Sequence, residues 1–219
     1  MRQRPPALLA VGVGAGAVAL LLLFARLVDR GPFAWDRAAM LRLRTPGDLG
    51  DPIGPAWLLP FMRDVTALGG GLLLTLIVVA AAGLLVVRRL YVPALLTVLA
   101  SWSGGQVVAL VKQQVGRARP DIVPRLIDVR ELSFPSGHAT SGAVVYLTLA
   151  LLAGRVVHER RVRAYLLFCA VLLVGTIGIS RVYLGVHWPS DVLAGWGFGT
   201  LWALGWWRLG TEARAAVRR

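Results

Sequence analysis

Three short runs carry side chains that together could grip an oxyanion and transfer it. The first is Lys112-Gln-Gln-Val-Gly-Arg-Ala-Arg119-Pro120. A lysine is a mobile point charge with three donors, and an arginine is a planar fork that can hold two phosphate oxygens. Taken alone the run is weak evidence, since basic residues end many apolar spans by reaching out to headgroups. The second is Phe134-Pro135-Ser136-Gly137-His138. Proline suits the first turn of a helix, glycine lets an anion approach the backbone, and free amides at a helix start bind anions. Ser136 adds a hydroxyl donor, and His138 a proton that can be given up near neutral pH. A capped helix start explains Pro-Ser-Gly equally well. The third is Ser180-Arg181-Val-Tyr-Leu-Gly-Val-His187-Trp-Pro-Ser-Asp191, where Pro189 again marks a helix start. Asp191 follows His187 by four residues, within reach of one ring nitrogen. An aspartate there fixes the tautomer and raises the basicity of the other nitrogen, as a histidine nucleophile requires. A lone histidine at a membrane boundary is usually interfacial; histidine, aspartate and arginine together at a span end point to function.

The elements that must position these runs are membrane spans. The chain has 219 residues, 57% of them hydrophobic and 16% charged, with long stretches almost free of charge. A helical span needs about 20 mostly apolar residues. Six segments qualify, at roughly 7–28, 68–87, 91–111, 138–154, 164–180 and 190–207. The expected fold is all-α and polytopic, one membrane-embedded domain over 1–219. Strands are not expected, because no segment shows the alternation of a barrel strand. The run Ala7–Phe24 follows a basic start, Met1 to Arg4, but is long for a signal peptide and lacks a clear cleavage site, so it reads as a retained span.

Residues 29–66 have a different texture, rich in Pro, Gly, Asp and Arg. Two amphipathic stretches in this extramembrane insert, Trp35–Arg44 and Ala56–Val65, suit short interfacial helices, with Trp35 and Trp57 at headgroup level; an ordered loop is an equal alternative. Trp202, Trp206 and Trp207 read as an aromatic belt. Basic residues divide evenly between the two sides, 12 of 24 each. The segments on the N-terminal side are short and hold only the acids Glu159 and Glu212, which places both termini in the cytoplasm.

Topology brings the three runs together. Fifteen residues with no apolar stretch separate Pro120 from Ser136, so the first two share a face. Forty-one residues lie between His138 and Ser180, room for two crossings and a basic turn at Arg155–Arg163. All three therefore meet on the face opposite the N-terminus, the periplasmic or external side. That face holds two of the three histidines, and Lys112 is the one lysine among 24 basic residues. His158, on the other side, reads as a solvated residue.

The spacings Lys-x6-Arg-Pro, Pro-Ser-Gly-His and Ser-Arg-x5-His-x3-Asp, all met here, resemble the three-part signature of the type 2 phosphatidic acid phosphatase family, in its bacterial integral-membrane branch. The resemblance covers most of the chain from about Thr66 to Trp207. It implies hydrolysis of a lipid phosphate or diphosphate, of the phosphatidic acid, phosphatidylglycerol phosphate or undecaprenyl diphosphate type, through a phosphohistidine. His187 would attack phosphorus, Asp191 orient it and His138 protonate the leaving oxygen. Lys112, Arg119 and Arg181 would hold the phosphate, with Ser136 and the Gly137 amide completing the cradle.

No cofactor or metal is expected: three cations around one site repel a divalent ion, and no carboxylate cluster suits magnesium. The net charge of +13 is scattered between apolar runs rather than gathered in a stripe, which argues against nucleic acid. Cys169, the single cysteine, excludes an intrachain disulfide. Asp64, just before the second span, could order the site through an arginine, but a helix cap at Asp64 or Thr66 is the simpler role. The alternatives are a lipid phosphotransferase using the same intermediate, a soluble vanadium haloperoxidase, whose motifs are similar, and a non-enzymatic transporter or lipid-binding scaffold. The apolar spans disfavour the second. Polar groups gathered at one interface rather than at the midplane disfavour the third.

Overall fold

A computed structural model describes the backbone of residues 6–29 and 31–217; the basic start Met1–Arg4 lies outside it. The described chain is helical with one small hairpin. In order it runs α1 (Pro6–Val28), α2 (Ala34–Leu41), β1 (Arg44–Thr45), β2 (Asp48–Pro52), α3 (Leu58–Ala67), α4 (Gly71–Val87), α5 (Tyr91–Val115), α6 (Gly137–Val156), α7 (Arg160–Tyr183) and α8 (Pro189–Val217). The antiparallel β1–β2 pair, with Thr45 opposite Asp48 and Arg44 opposite Pro52, corrects the expectation of a strand-free chain. Periodicity could not signal it, because the strands are too short to alternate.

Four helices are long and apolar enough to cross a membrane: Leu8–Val28, Tyr91–Val115, Gly137–Gly154 and Arg160–Tyr183. The pair α3–α4 makes a fifth if its 50° bend is spanned as one element. The amphipathic stretch expected over 56–65 forms α3, which runs on into α4 through that bend. α8 is long, but its glycines and tryptophans lower its hydropathy. Large apolar side chains point outward along these helices, among them Leu72 at 79% exposed and Val87 at 78%. No soluble core hides them, and a multi-pass membrane protein needs them there.

In lipid, burying leucine against leucine gains little, so helices associate where small residues let backbones close. The α6–α8 interface is built that way. A Cβ on Gly195 would lie 2.8 Å from Thr140 Oγ1, and one on Gly199 would lie 2.7 Å from Ala143 Cβ. α1 packs on α8 and α5 through Ala17, Leu21, Ala25 and Val28 against Phe198, Val108 and Val111. Phe134 closes this cluster, fully buried and stacked on Phe24. Trp202 also lies inside the bundle, on Phe198, and donates to Ala100 O at 3.1 Å.

Between α5 and α6 the chain has no regular structure, yet it is pinned: Ser133 N donates to Arg117 O at 2.9 Å and Leu126 N to Leu184 O at 3.0 Å. Leu126, Ile127 and Val129 pack with Leu58 and Met62 of α3 over Tyr183, Leu184 and Val186 at the end of α7. Insert, loop and the α7–α8 turn form one cap over one end of the bundle.

Candidate active site

Beneath that cap the three runs meet. α7 ends at Tyr183, and the chain reverses through Gly185, whose φ of +74° favours glycine. His187 follows, and Pro189 opens α8 as its first residue, as the sequence indicates. Pro135, by contrast, is not in the first turn of α6: Ser136 is the N-cap and the helix starts at Gly137. The close α6–α8 contact joins the second and third runs directly, since Ser136 N donates to Asp191 O at 3.2 Å.

His187 is 1% exposed, and its two nitrogens face different partners. Nδ1 lies 3.4 Å from Asp191 Oδ2 and 3.4 Å from Ser133 Oγ. Nε2 lies 3.1 Å from Arg119 Nη1. Arg119 can only donate, so Nε2 carries its lone pair and the Nδ1–H tautomer results. Burial pushes the imidazole down to about 4, with the carboxylate of Asp191 pulling the other way. The ring is therefore neutral at pH 7. Arg119 is itself held by backbone carbonyls, with Nε donating to Glu131 O at 2.5 Å and Nη1 to Val186 O at 2.6 Å. Burial lowers its guanidinium below the ordinary value, and Glu131 offsets part of this.

Both oxygens of Asp191 are occupied. Oδ2 accepts from Ser133 Oγ at 2.5 Å and from Trp188 N at 3.0 Å. Oδ1 accepts from Arg117, whose guanidinium also lies 5.7 Å from the Trp188 ring centre.

The remaining cradle residues surround this pair. Arg181, 2% exposed, donates through Nη1 to Thr66 Oγ1 at 2.8 Å. His138 lies within electrostatic reach of Arg181, His187, Glu131 and Lys112, beside Gly69 at the α3–α4 break. Lys112 donates to Glu131 Oε2 and to Leu132 O, each at 2.9 Å, and its hydrogen bond holds Glu131 below the usual carboxylate range. Arg117 Nε is buried without a hydrogen-bond partner, and so, among the candidate phosphate-binding residues, are Ser136 Oγ and Arg181 Nε. Buried donors are normally paired, so these last two are open to an added oxyanion. Among the described residues no group of three or more His, Cys, Asp or Glu side chains is placed to hold a metal.

Asp64 is exposed on α3 and caps neither α3 nor α4. The residue of that run that reaches an arginine is Thr66. Sequence reasoning missed five other members of the site. Arg117 and Ser190 stand inside the quoted runs, and Ser133 one residue before the second. Glu131 is in the loop, and Asp36 is in the insert. Asp36 did carry a signal, as an acid on the apolar face of an amphipathic stretch, between buried Met40 and half-buried Phe33.

The fold is that of a multi-pass membrane protein whose three runs gather histidines and buried arginines under one cap. The sequence profile of the PAP2 superfamily matches residues 64–215, and the chain belongs to that superfamily. It is 35% identical over 146 residues to phosphatidylglycerophosphatase B of Bacillus subtilis, covering 66% of this chain and 71% of that one. It is 36% identical over 114 residues to lipid A 1-phosphatase of Rhizobium etli, covering 48% and 43% respectively, so the chain spans under half of that relative. The crystal structure of a transmembrane PAP2-type phosphatidylglycerolphosphate phosphatase from Bacillus subtilis superimposes with a TM-score of 0.73. That match has 28% identity and covers 94% of this chain and 98% of that one.

Proposed function

We propose that this chain is an integral-membrane phosphatase that hydrolyses a lipid phosphate or diphosphate through a phosphohistidine at His187, without a metal. The observation that carries the reading is the division of labour at His187, with Asp191 at Nδ1 and a phosphate-type cation, Arg119, at Nε2.

In the first step the Nε2 lone pair attacks phosphorus and the bond to the leaving oxygen breaks. His138, protonated as the phosphate dianion binds beside it, gives that proton to the leaving oxygen, releasing the dephosphorylated lipid. Lys112, Arg119, Arg181, Ser136 Oγ and the Gly137 amide neutralise the equatorial oxygens as charge develops. Arg119 transfers its donor from Nε2 to phosphate when substrate binds, which frees the lone pair. In the second step water attacks phosphorus, His138 takes the water's proton, and the P–N bond breaks to regenerate His187.

The membrane setting supports a lipid substrate: the phosphate lies at headgroup depth and its chains enter between helices. The named activity of the Bacillus subtilis relative favours phosphatidylglycerol phosphate, whereas that of the Rhizobium etli relative is removal of phosphate from lipid A, so a lipid phosphate is what the two names share. α8 serves as the sixth span beside α1, α3–α4, α5, α6 and α7, within one membrane-embedded unit over 1–219. Both termini are cytoplasmic and the site faces the periplasm or exterior. A C-terminal topology reporter active outside the cytoplasm would overturn that orientation.

The test is phosphate release in detergent from a panel of lipid phosphates and diphosphates, with EDTA present. Release that survives EDTA and is absent in His187→Ala supports the reading. No release from any lipid by folded protein, or release abolished by EDTA and restored by a divalent ion, overturns it.

A further inference from the structure

Asp36 is fully buried, sits on α2 in the insert, and touches no predicted phosphate ligand. It is nonetheless joined to His187 through an unbroken set of hydrogen bonds. Its Oδ1 accepts from Ser190 N at 2.8 Å; its Oδ2 accepts from Ser190 Oγ at 2.7 Å and from Arg117 Nη2 at 3.3 Å. Arg117 Nη1 donates to Ser190 Oγ at 2.9 Å and to Asp191 Oδ1. Asp191 Oδ2 faces His187 Nδ1. Arg117 is thus shared by two buried carboxylates, one of which orients the nucleophile.

Counting formal charges decides what the arrangement is for. Asp191 and Arg117 alone would cancel, and the imidazole would face a neutral pair. With Asp36 the buried group carries a net charge of −1, facing a neutral His187. When Nε2 bonds to phosphorus and Nδ1 keeps its proton, the ring becomes cationic. On the Nδ1 side the buried group and the ring then sum to zero in a region of low dielectric, where such compensation is worth most, while Arg119 on the Nε2 side faces the phosphoryl oxygens. A carboxylate placed only to tie the insert to the bundle would not need to share a guanidinium with Asp191.

We propose that Asp36 is a positioning residue of the reaction: through Arg117 and Ser190 it holds Asp191 and keeps that carboxylate's charge available to the imidazolium formed at His187. The inference rests on the reading of His187 as nucleophile. It assigns the insert a part in the chemistry, although the insert precedes all three motif runs.

The test uses the full-length enzyme in detergent, in single turnover with enzyme in excess over phosphatidylglycerol phosphate, following the dephosphorylated lipid. A first-order rate constant at saturation, unlike an amplitude, does not depend on the fraction of folded enzyme. Asp36→Asn keeps the shape and removes the charge. The expected result is a rate constant lower by about 10- to 100-fold, by analogy with the loss of outer partners of metal-bound histidines. Steady-state KM and inhibition by orthophosphate should stay within about twofold, because the cradle is untouched. In the Asp191→Asn background the same substitution should have little further effect, because the two act in series.

A rate constant within twofold of wild type in folded Asp36→Asn overturns the proposal. So do losses that simply multiply in the double variant. Should Asp36→Asn not fold, Arg117→Lys keeps the positive charge and removes the planar fork that spans the two carboxylates. A slowed rate constant in that variant supports the proposal, and an unchanged one overturns it. Wild-type turnover that equals that of His187→Ala refutes the nucleophile assignment instead, so the two failures are distinguishable.

Discussion

Lys112 Nζ lies 2.9 Å from Glu131 Oε2, so the one lysine of the cradle is neutralised by a carboxylate that is itself largely exposed. Glu131 also acts electrostatically on Arg119, Arg181 and His138. On the proposed reading of Lys112 as a phosphate ligand, a substrate phosphate displaces Glu131. Exposed ion pairs of this kind contribute about 0.2–1 kcal/mol. Glu131→Gln should therefore lower KM by roughly 1.5- to 5-fold and tighten orthophosphate inhibition by the same factor, leaving kcat near wild type. Steady-state kinetics with orthophosphate titration checks this; a raised KM would mean that Glu131 binds substrate rather than competing with it.

His187 sets an acid limit. Its imidazole is pushed to about 4 by burial, whereas an unfolded histidine titrates near 6.5. Below about pH 6.5 the unfolded chain takes up a proton that the folded chain refuses. The stability from this group is therefore full above that pH and falls as the pH drops toward 4. The nucleophile stays competent through the same window. Carbon-13-labelled histidine followed by NMR, with His187→Ala assigning the signal, should show a midpoint near 4. A midpoint at or above 6.5 would contradict the buried neutral tautomer.

Much of the site was legible because its chemistry is local in sequence. His187 and Asp191 are one helical turn apart, and the Pro-Ser-Gly-His run writes its own helix start. Lys112 lies in the last turn of α5 and Arg119 follows four residues past its end. The buried charges around Asp191 were not legible, because Asp36 and Ser190 are 154 residues apart and nothing local says that they touch. The segment before the second span was singled out for Asp64, yet Thr66 makes the contact: charge drew the reading and helical phase decided the outcome. The hairpin at 44–52 and the α3–α4 bend escaped for a related reason, since both are set by packing under the cap rather than by periodicity.

The Thr66–Arg181 contact gives a third prediction. Thr66→Val removes the 2.8 Å hydrogen bond that orients Arg181 without changing side-chain volume much. Hydrogen bonds to charged groups contribute about 1.5–3 kcal/mol, so kcat/KM should fall by about tenfold or more. Thr66→Ser should recover most of it. Equal losses in both variants would assign the effect to packing of the methyl group.

The α6–α8 contact gives a fourth. Gly199→Leu forces a side chain where Ala143 Cβ and Thr140 O already sit within 3 Å of the added Cβ. Overpacking of this kind costs about 1–3 kcal/mol. It should also separate Ser136 from Asp191, so activity should fall more steeply than thermal stability. Gly197→Ala on the same helix meets nothing within 4 Å and should be neutral or slightly stabilising. A thermal-shift series with matched activity assays compares the two.

The central claim is that phosphorus becomes bonded to His187. The most direct measurement is to mix the enzyme with phosphatidylglycerol phosphate carrying labelled phosphorus, quench in alkali within a turnover, and locate the label by peptide mass spectrometry. The account predicts label on His187 alone, formed more slowly in His138→Ala, which lacks the acid of the first step and the base of the second, and absent in His187→Ala. Label on another residue, or turnover that persists in His187→Ala, would contradict it.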